Sequence, residues 1–169
     1  MNYSSIFQEL QRNRQAFLDL LSGMTKEEYL WKPEPAKWCL LEIICHLYDE
    51  EREDFRARLK QVLETPELPF PPIDPQKWVL ERNYIEQDFE TMLNKFSEER
   101  KQSVSWLKSL TSPKWKNAYI HPKFGAISGN LLLSNWLEHD YLHCRQILTL
   151  KHLYLKHHSG ENLAYAGNW

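Results

Sequence analysis

Apolar side chains recur at helical spacing in four long segments of this chain, and no stretch alternates well enough to read as a strand. The first segment covers about residues 5–22, with Ile6, Phe7, Leu10, Phe17 and Leu21 on one face and Gly23 placed to end it. Thr25-Lys26-Glu27-Glu28 reads as a capping box for one short turn, which Pro33 and Pro35 stop. The second segment, about residues 39–64, carries a stripe of Leu40, Ile44, Leu47, Phe55, Leu59 and Val62. The third, about residues 84–110, keeps Ile85, Phe89, Met92, Phe96, Leu107 and Leu110 in register. The fourth starts near Asn130 and runs toward His158, because Lys151, His152, Lys156, His157 and His158 suit the negative end of a helix dipole; Gly160 closes it.

Four amphipathic helices without strands must bury their stripes on one another, so the fold class is all-α, a four-helix bundle. With 169 residues, a single domain (1–169) has room for a core without disulfides or a second domain. Two long connections, residues 65–83 and 111–129, bear on the topology. The first contains Pro66, Pro69, Pro71, Pro72 and Pro75, too many for a helix across residues 65–75. It can stretch roughly 60 Å at about 3.3 Å per residue, whereas a helix over residues 39–64 is about 39 Å long. The second and third helices can therefore be parallel neighbours joined by a crossover.

The fourth segment carries the chemistry. Leu132, Trp136, His139, His143, Gln146 and Leu150 step by four and three, the spacing of a core seam whose ends are apolar and whose middle is polar. Adjacent polar residues in a bundle interior need something to satisfy them. Imidazoles four apart face the same way and can converge on one ion at about 2.0–2.1 Å. His46 lies in the apolar run Ile43-Ile44-Cys45-His46-Leu47-Tyr48 of the second helix. Alone it would read as a hydrogen-bonded core histidine, and a random His-x3-His pair as a surface feature. Three such histidines on two helices are better explained by one shared divalent transition-metal ion. Zinc is the first candidate, with nickel, iron or manganese as alternatives. Three neutral ligands leave a fourth position open, the arrangement of a catalytic site.

Other groups receive plainer readings. Glu50, one turn after His46, either orients it or is solvated. Asp49, Glu51, Arg52, Glu53 and Asp54 read as an exposed charged face. Cys45 and Cys144 point about 100° away from their histidine neighbours and read as small core residues. His121, His152, His157 and His158 read as bystanders in a loop or a fraying end.

The balance of 21 basic and 23 acidic residues, a net charge of −2, gives no electrostatic reason to expect nucleic acid or an anionic membrane as partner. No apolar run approaches the roughly 18 residues that span a bilayer. Met1 to Ser5 lack the basic-then-apolar pattern of a signal peptide. Three cysteines without a CxxC pair suit a reducing compartment, and the expected location is cytoplasmic.

Two stretches resemble the DinB-like (DinB/YfiT) superfamily. Trp31-Lys32-Pro33 through Trp38, then His46-Leu47-Tyr48-Asp49-Glu50-Glu51, is similar to its first signature. His121-Pro122-Lys123-Phe124-Gly125, then His139 through Ile147, is similar to its second. Cys39 departs from the serine commonly found at the helix cap, although Glu42 keeps its place three residues on. The resemblance implies an up-down-down-up bundle, frequent homodimers and a metal held at positions matching His46, His139 and His143. It also implies a small-molecule substrate: some relatives are S-transferases or an isomerase using low-molecular-weight bacterial thiols. Thiol transfer is then the first expectation and metal-dependent hydrolysis the second. The alternative is a non-catalytic metal-binding or stress-response bundle. Finally, Leu163, Tyr165 and Trp169 make the tail apolar, and Tyr165 or Trp169 is expected to pack on the bundle or a dimer partner, beside the metal pocket.

Overall fold

Most helices begin where the sequence supplies a side-chain oxygen for the first free N–H groups. In the computed structural model, which describes residues 2–167 and Trp169, Asn2 caps α1 (Tyr3–Leu21) and Thr25 caps α2 (Lys26–Leu30). Met1 and Asn168, parts of the N-terminal stretch and the tail considered above, lie outside the described residues. Helix α3 (Leu40–Asp49) runs through a π-helical stretch, Glu50–Arg56, into α4 (Ala57–Glu64). At its start the Cys39 N–H donates to Glu42 Oε2 at 2.8 Å, so the backbone half of the capping box survives the cysteine. Helix α5 (Pro75–Glu81) follows, then α6 (Phe89–Ser109), strands β1 (Ala118–His121) and β2 (Gly125–Ser128), and α7 (Gly129–Ser159).

Three local expectations need correction. Residues 84–88 do not belong to the third helix. Asn83 adopts a left-handed conformation (φ 48°), Tyr84–Glu86 form a 3-10 turn, and Asp88 caps a fresh start by accepting from the Thr91 N–H. The proline-rich crossover ends in a helix, because Pro75 stands at a first helical position that needs no N–H. The second connection contains a β-hairpin, paired from Ala118↔Ser128 to His121↔Gly125. Strands this short carry almost no readable alternation.

Side-chain partners give the topology. Tyr3 meets Asn130, Asn13 meets Asp140 and Lys151 meets the Leu20 carbonyl, so α1 and α7 run parallel. Phe17 packs on Phe96 while Gln11 bonds Lys108, so α1 and α6 are antiparallel. Tyr48 lies by Lys95 and Arg56 by Ser103, making the second and third long helices parallel. His46 faces His143 while Phe55 stacks near Trp136, so α3–α4 opposes α7. The order is up-down-down-up, and residues 65–88 provide the crossover that it requires.

The bundle has two apolar clusters. One gathers Phe17, Leu21, Ile43, Ile44, Phe89, Phe96, Ile147 and Leu150. The other gathers Leu10, Phe55, Leu59, Val62, Leu107, Leu133 and Trp136. Along every long helix the switch between clusters is a polar stretch: Asn13 on α1, His46 to Glu51 on α3 and its extension, Ser97 to Ser103 on α6, and His139 to His143 on α7. The waist of the bundle is thus polar on all four sides. The π stretch falls there. Its wider turn lets His46, Glu51, Phe55, Leu59 and Val62 all be buried, where an unbroken 3.6-residue period would rotate Phe55 away.

Candidate metal centre

Helix α3 carries His46 into the waist, and one face of α7 carries His139 and His143 to meet it. His139 Nε2 lies 3.3 Å from His46 Nε2 and 3.1 Å from His143 Nε2. All three candidate ligand atoms lie within 4.8 Å of one another. Nitrogens bound tetrahedrally to zinc at about 2.05 Å stand about 3.3 Å apart, so the spacing suits a shared cation. Protons satisfy it poorly, since the single lone pair of His139 Nε2 cannot accept well from both neighbours.

The electrostatics agree. Burial, and then the charge that His143 would carry, hold His46 down at about 3. Burial brings His143 to about 4 against the opposing pull of Gln146. His139 is lowered well below its ordinary value by burial, by the other two histidines and by Arg100. The three rings are neutral near pH 7, with lone pairs free for a metal. Gln146 Oε1 lies 2.9 Å from His143 Nδ1 and accepts its proton, which leaves Nε2 as the ligand atom. Trp38 packs its ring 4.9 Å from that of His46, and Phe55 packs at the same distance from His139. His46 Nδ1 is buried with no hydrogen-bond partner.

Glu50 does not orient His46. It shares a hydrogen bond with Asp54, and burial together with Asp54 raises its carboxyl to about 9. The supposed exposed charged face is also largely buried. Asp49 accepts from the Tyr84 hydroxyl at 2.6 Å and pairs with Arg52 and Arg82. Glu51 accepts from Arg100 Nε at 2.8 Å and from Trp136 Nε1 at 2.9 Å. Arg100 in turn grips Asp140 through two nitrogens, at 2.6 and 2.7 Å, and Asn13 donates to the same carboxylate. Sequence reasoning missed Arg100 and Asp140. The available signal was a charged residue on an apolar stripe: Arg100 lies between Phe96 and Leu107, and Asp140 between Trp136 and Ile147.

The remaining candidates stay outside the site. Burial pushes the thiols of Cys39 and Cys144 up to about 11, and Cys45 is fully buried, so the cysteines behave as core groups. His121 sits in β1, where its Nδ1 accepts from the backbone N–H groups of Lys123 and Phe124. His158 reaches Glu27 and Trp31. Trp169 stacks on His152 at 4.6 Å, so the tail does return to α7, but Tyr165 is fully exposed. The tail borders a cavity of about 510 Å³ lined by Met24, Trp31 and Tyr154. A different cavity, of about 580 Å³, opens against His143, Gln146 and Trp38.

A family model of the DinB superfamily matches residues 9–147. This chain belongs to the DinB superfamily. Its fold is similar to that of YfiT from Bacillus subtilis, described as "a probable metal-dependent hydrolase with an unusual four-helix bundle topology". The two share 19% identity at a TM-score of 0.78, over 95% of this chain and 89% of that one. No curated protein matches the chain by sequence. No helix among the described residues is long and apolar enough to cross a membrane.

Proposed function

We propose that this DinB-superfamily protein is a metal-dependent hydrolase of small molecules, with one divalent ion, zinc first, held by His46, His139 and His143. The observation that carries the reading is the convergence of three neutral imidazoles, with His139 Nε2 at 3.3 and 3.1 Å from its two neighbours and all three ligand atoms within 4.8 Å, beside an open cavity. A cation bound there supplies Lewis-acid chemistry that makes water nucleophilic near neutral pH. The protein's own part is positional. Gln146 sets the tautomer of His143, Trp38 and Phe55 hold the other two rings, and the apolar walls around them limit bulk water. The description of YfiT supports hydrolysis over thiol transfer.

Thiol transfer to an electrophile would use the same three ligands, with a thiolate in place of water. A homodimer goes with either reading: Tyr141, Leu148 and Leu155 are exposed on α7 at steps of seven, which suits a second copy of the helix. The free cysteines are in keeping with a cytoplasmic setting. The test is elemental analysis of protein purified without added metal, followed by reloading with zinc, nickel, iron or manganese. Loaded protein is then assayed on esters, amides and lactams, and separately on thiols with electrophiles. Turnover only when a thiol is present replaces the hydrolase reading with a transferase. Failure to bind one metal per chain removes both.

A further inference from the structure

The cavity beside His143 has an unused charge. Its walls are apolar where Trp38, Leu142, Leu150 and Leu153 face it. Two of its neutral oxygens are occupied: Gln146 Oε1 holds His143, and the Thr149 hydroxyl donates to the Arg145 carbonyl. Two cations also line it, Lys37 from the loop before α3 and Arg145 from α7. Among the described residues, Arg145 is the one arginine whose guanidinium has no hydrogen-bond or ion-pair partner. Arg52, Arg56, Arg58, Arg82 and Arg100 are all bound to carboxylates, Arg12 pairs with Glu9, and Arg14 bonds Ser97. Lys37 likewise makes no ion pair, not even with Glu34, the single carboxylate of the cavity lining. In a chain with net charge −2, a cavity beside a metal site that keeps two uncommitted cations is arranged for an anion.

We infer that the cavity selects small substrates with an apolar body and a carboxylate, the carboxylate held by Arg145 and Lys37. The planar guanidinium suits two-point recognition of a carboxylate, and the apolar walls suit the body. That the bond to be broken then faces His143 rests on the hydrolase reading; the binding preference does not.

The test uses the full chain, both zinc-loaded and chelator-treated, with phenylacetate and phenylacetamide as probes followed by NMR titration. Metal-free protein should bind the acid about fivefold or more tightly over the amide, a difference of about 1 kcal/mol. Lys37→Gln with Arg145→Gln should abolish that preference and leave amide binding unchanged. Both side chains are exposed, so the double variant should keep its helical circular dichroism. Equal binding of acid and amide overturns the inference. So does a preference that needs zinc and survives the double substitution, because the carboxylate is then a metal ligand. A preference that persists in His143→Ala, in a protein whose wild type hydrolyses nothing, retains the cavity's role and discards the hydrolase reading.

Discussion

Two groups of polar side chains share the waist of this bundle and are built on opposite plans. Around Arg100 the charges are closed on one another. The guanidinium reaches Glu51, Asp140 and the Leu10 carbonyl, and Asn13 and Trp136 donate to the same carboxylates. The histidines are left open: their three candidate ligand atoms lie within 4.8 Å of one another and His46 Nδ1 has no partner. Buried polar side chains occur in both, although His139 is only half-buried, so burial does not by itself mark a site. What separates them is whether the protein supplies the counterpart itself. The Arg100 group does, and its role is to hold four helices in register. The triad does not, which is why we propose that a cation from outside completes it.

The contrast breaks most sharply at His143. His143→Ala should weaken metal affinity by about a thousandfold, about 4 kcal/mol, while the metal-free variant keeps its helical circular dichroism. Equilibrium dialysis with zinc, read beside far-ultraviolet spectra, checks both halves. Wild-type protein that unfolds on chelation would instead give the triad a structural role.

At Arg100 the outcome should be reversed. Arg100→Ala strands Glu51 and Asp140 without their cation and should cost about 3–5 kcal/mol of stability in urea unfolding. Metal affinity measured under folded conditions should change far less. A loss below about 1 kcal/mol would show that the network relaxes or admits water, and the division drawn between the two groups would fail.

Acid should separate them next. His143 has a folded value near 4 against about 6.5 when unfolded, so the unfolded chain takes up more protons between those values and stability falls as pH falls through that window. Each neutral histidine then costs about 1.4 kcal/mol per pH unit. His143→Ala, compared with metal-free wild type, should lose about 2 kcal/mol less on going from pH 7 to pH 5. Identical pH slopes for the two proteins would mean that His143 titrates alike folded and unfolded, as a solvent-exposed histidine does.

The smallest effect should come from the amide behind the ligand. Gln146→Leu removes the acceptor for His143 Nδ1 but no ligand atom. It should weaken zinc binding about tenfold with little change in urea midpoint. Unchanged affinity would make Gln146 a neighbour of the site with no part in it.

How much of this was legible depended on how local the deciding interactions are. The triad could be read because α7 puts residues four apart on one face, and because histidines on an otherwise apolar seam contradict their surroundings. The acidic run from Asp49 to Asp54 was misread for the opposite reason. Its charges look solvated beside one another, and only Arg100, Arg82 and Tyr84, from distant parts of the chain, make their burial tolerable. The π stretch left no composition signal, because it serves the phase between His46 and Phe55 and not any local preference.

The sequence by itself determined the four long helices, their caps and stops, the crossover that permits parallel neighbours, and the three histidines. All of these follow from hydrophobic period, capping chemistry and chain length, which act over a few residues. Tertiary structure alone decided the polar waist, the pairing of Arg100 with Glu51 and Asp140, the removal of Glu50 from the site, and the two cations left beside His143. Those depend on which charges meet across helices far apart in sequence. The cost of burying a charge is set by the partner it finds there.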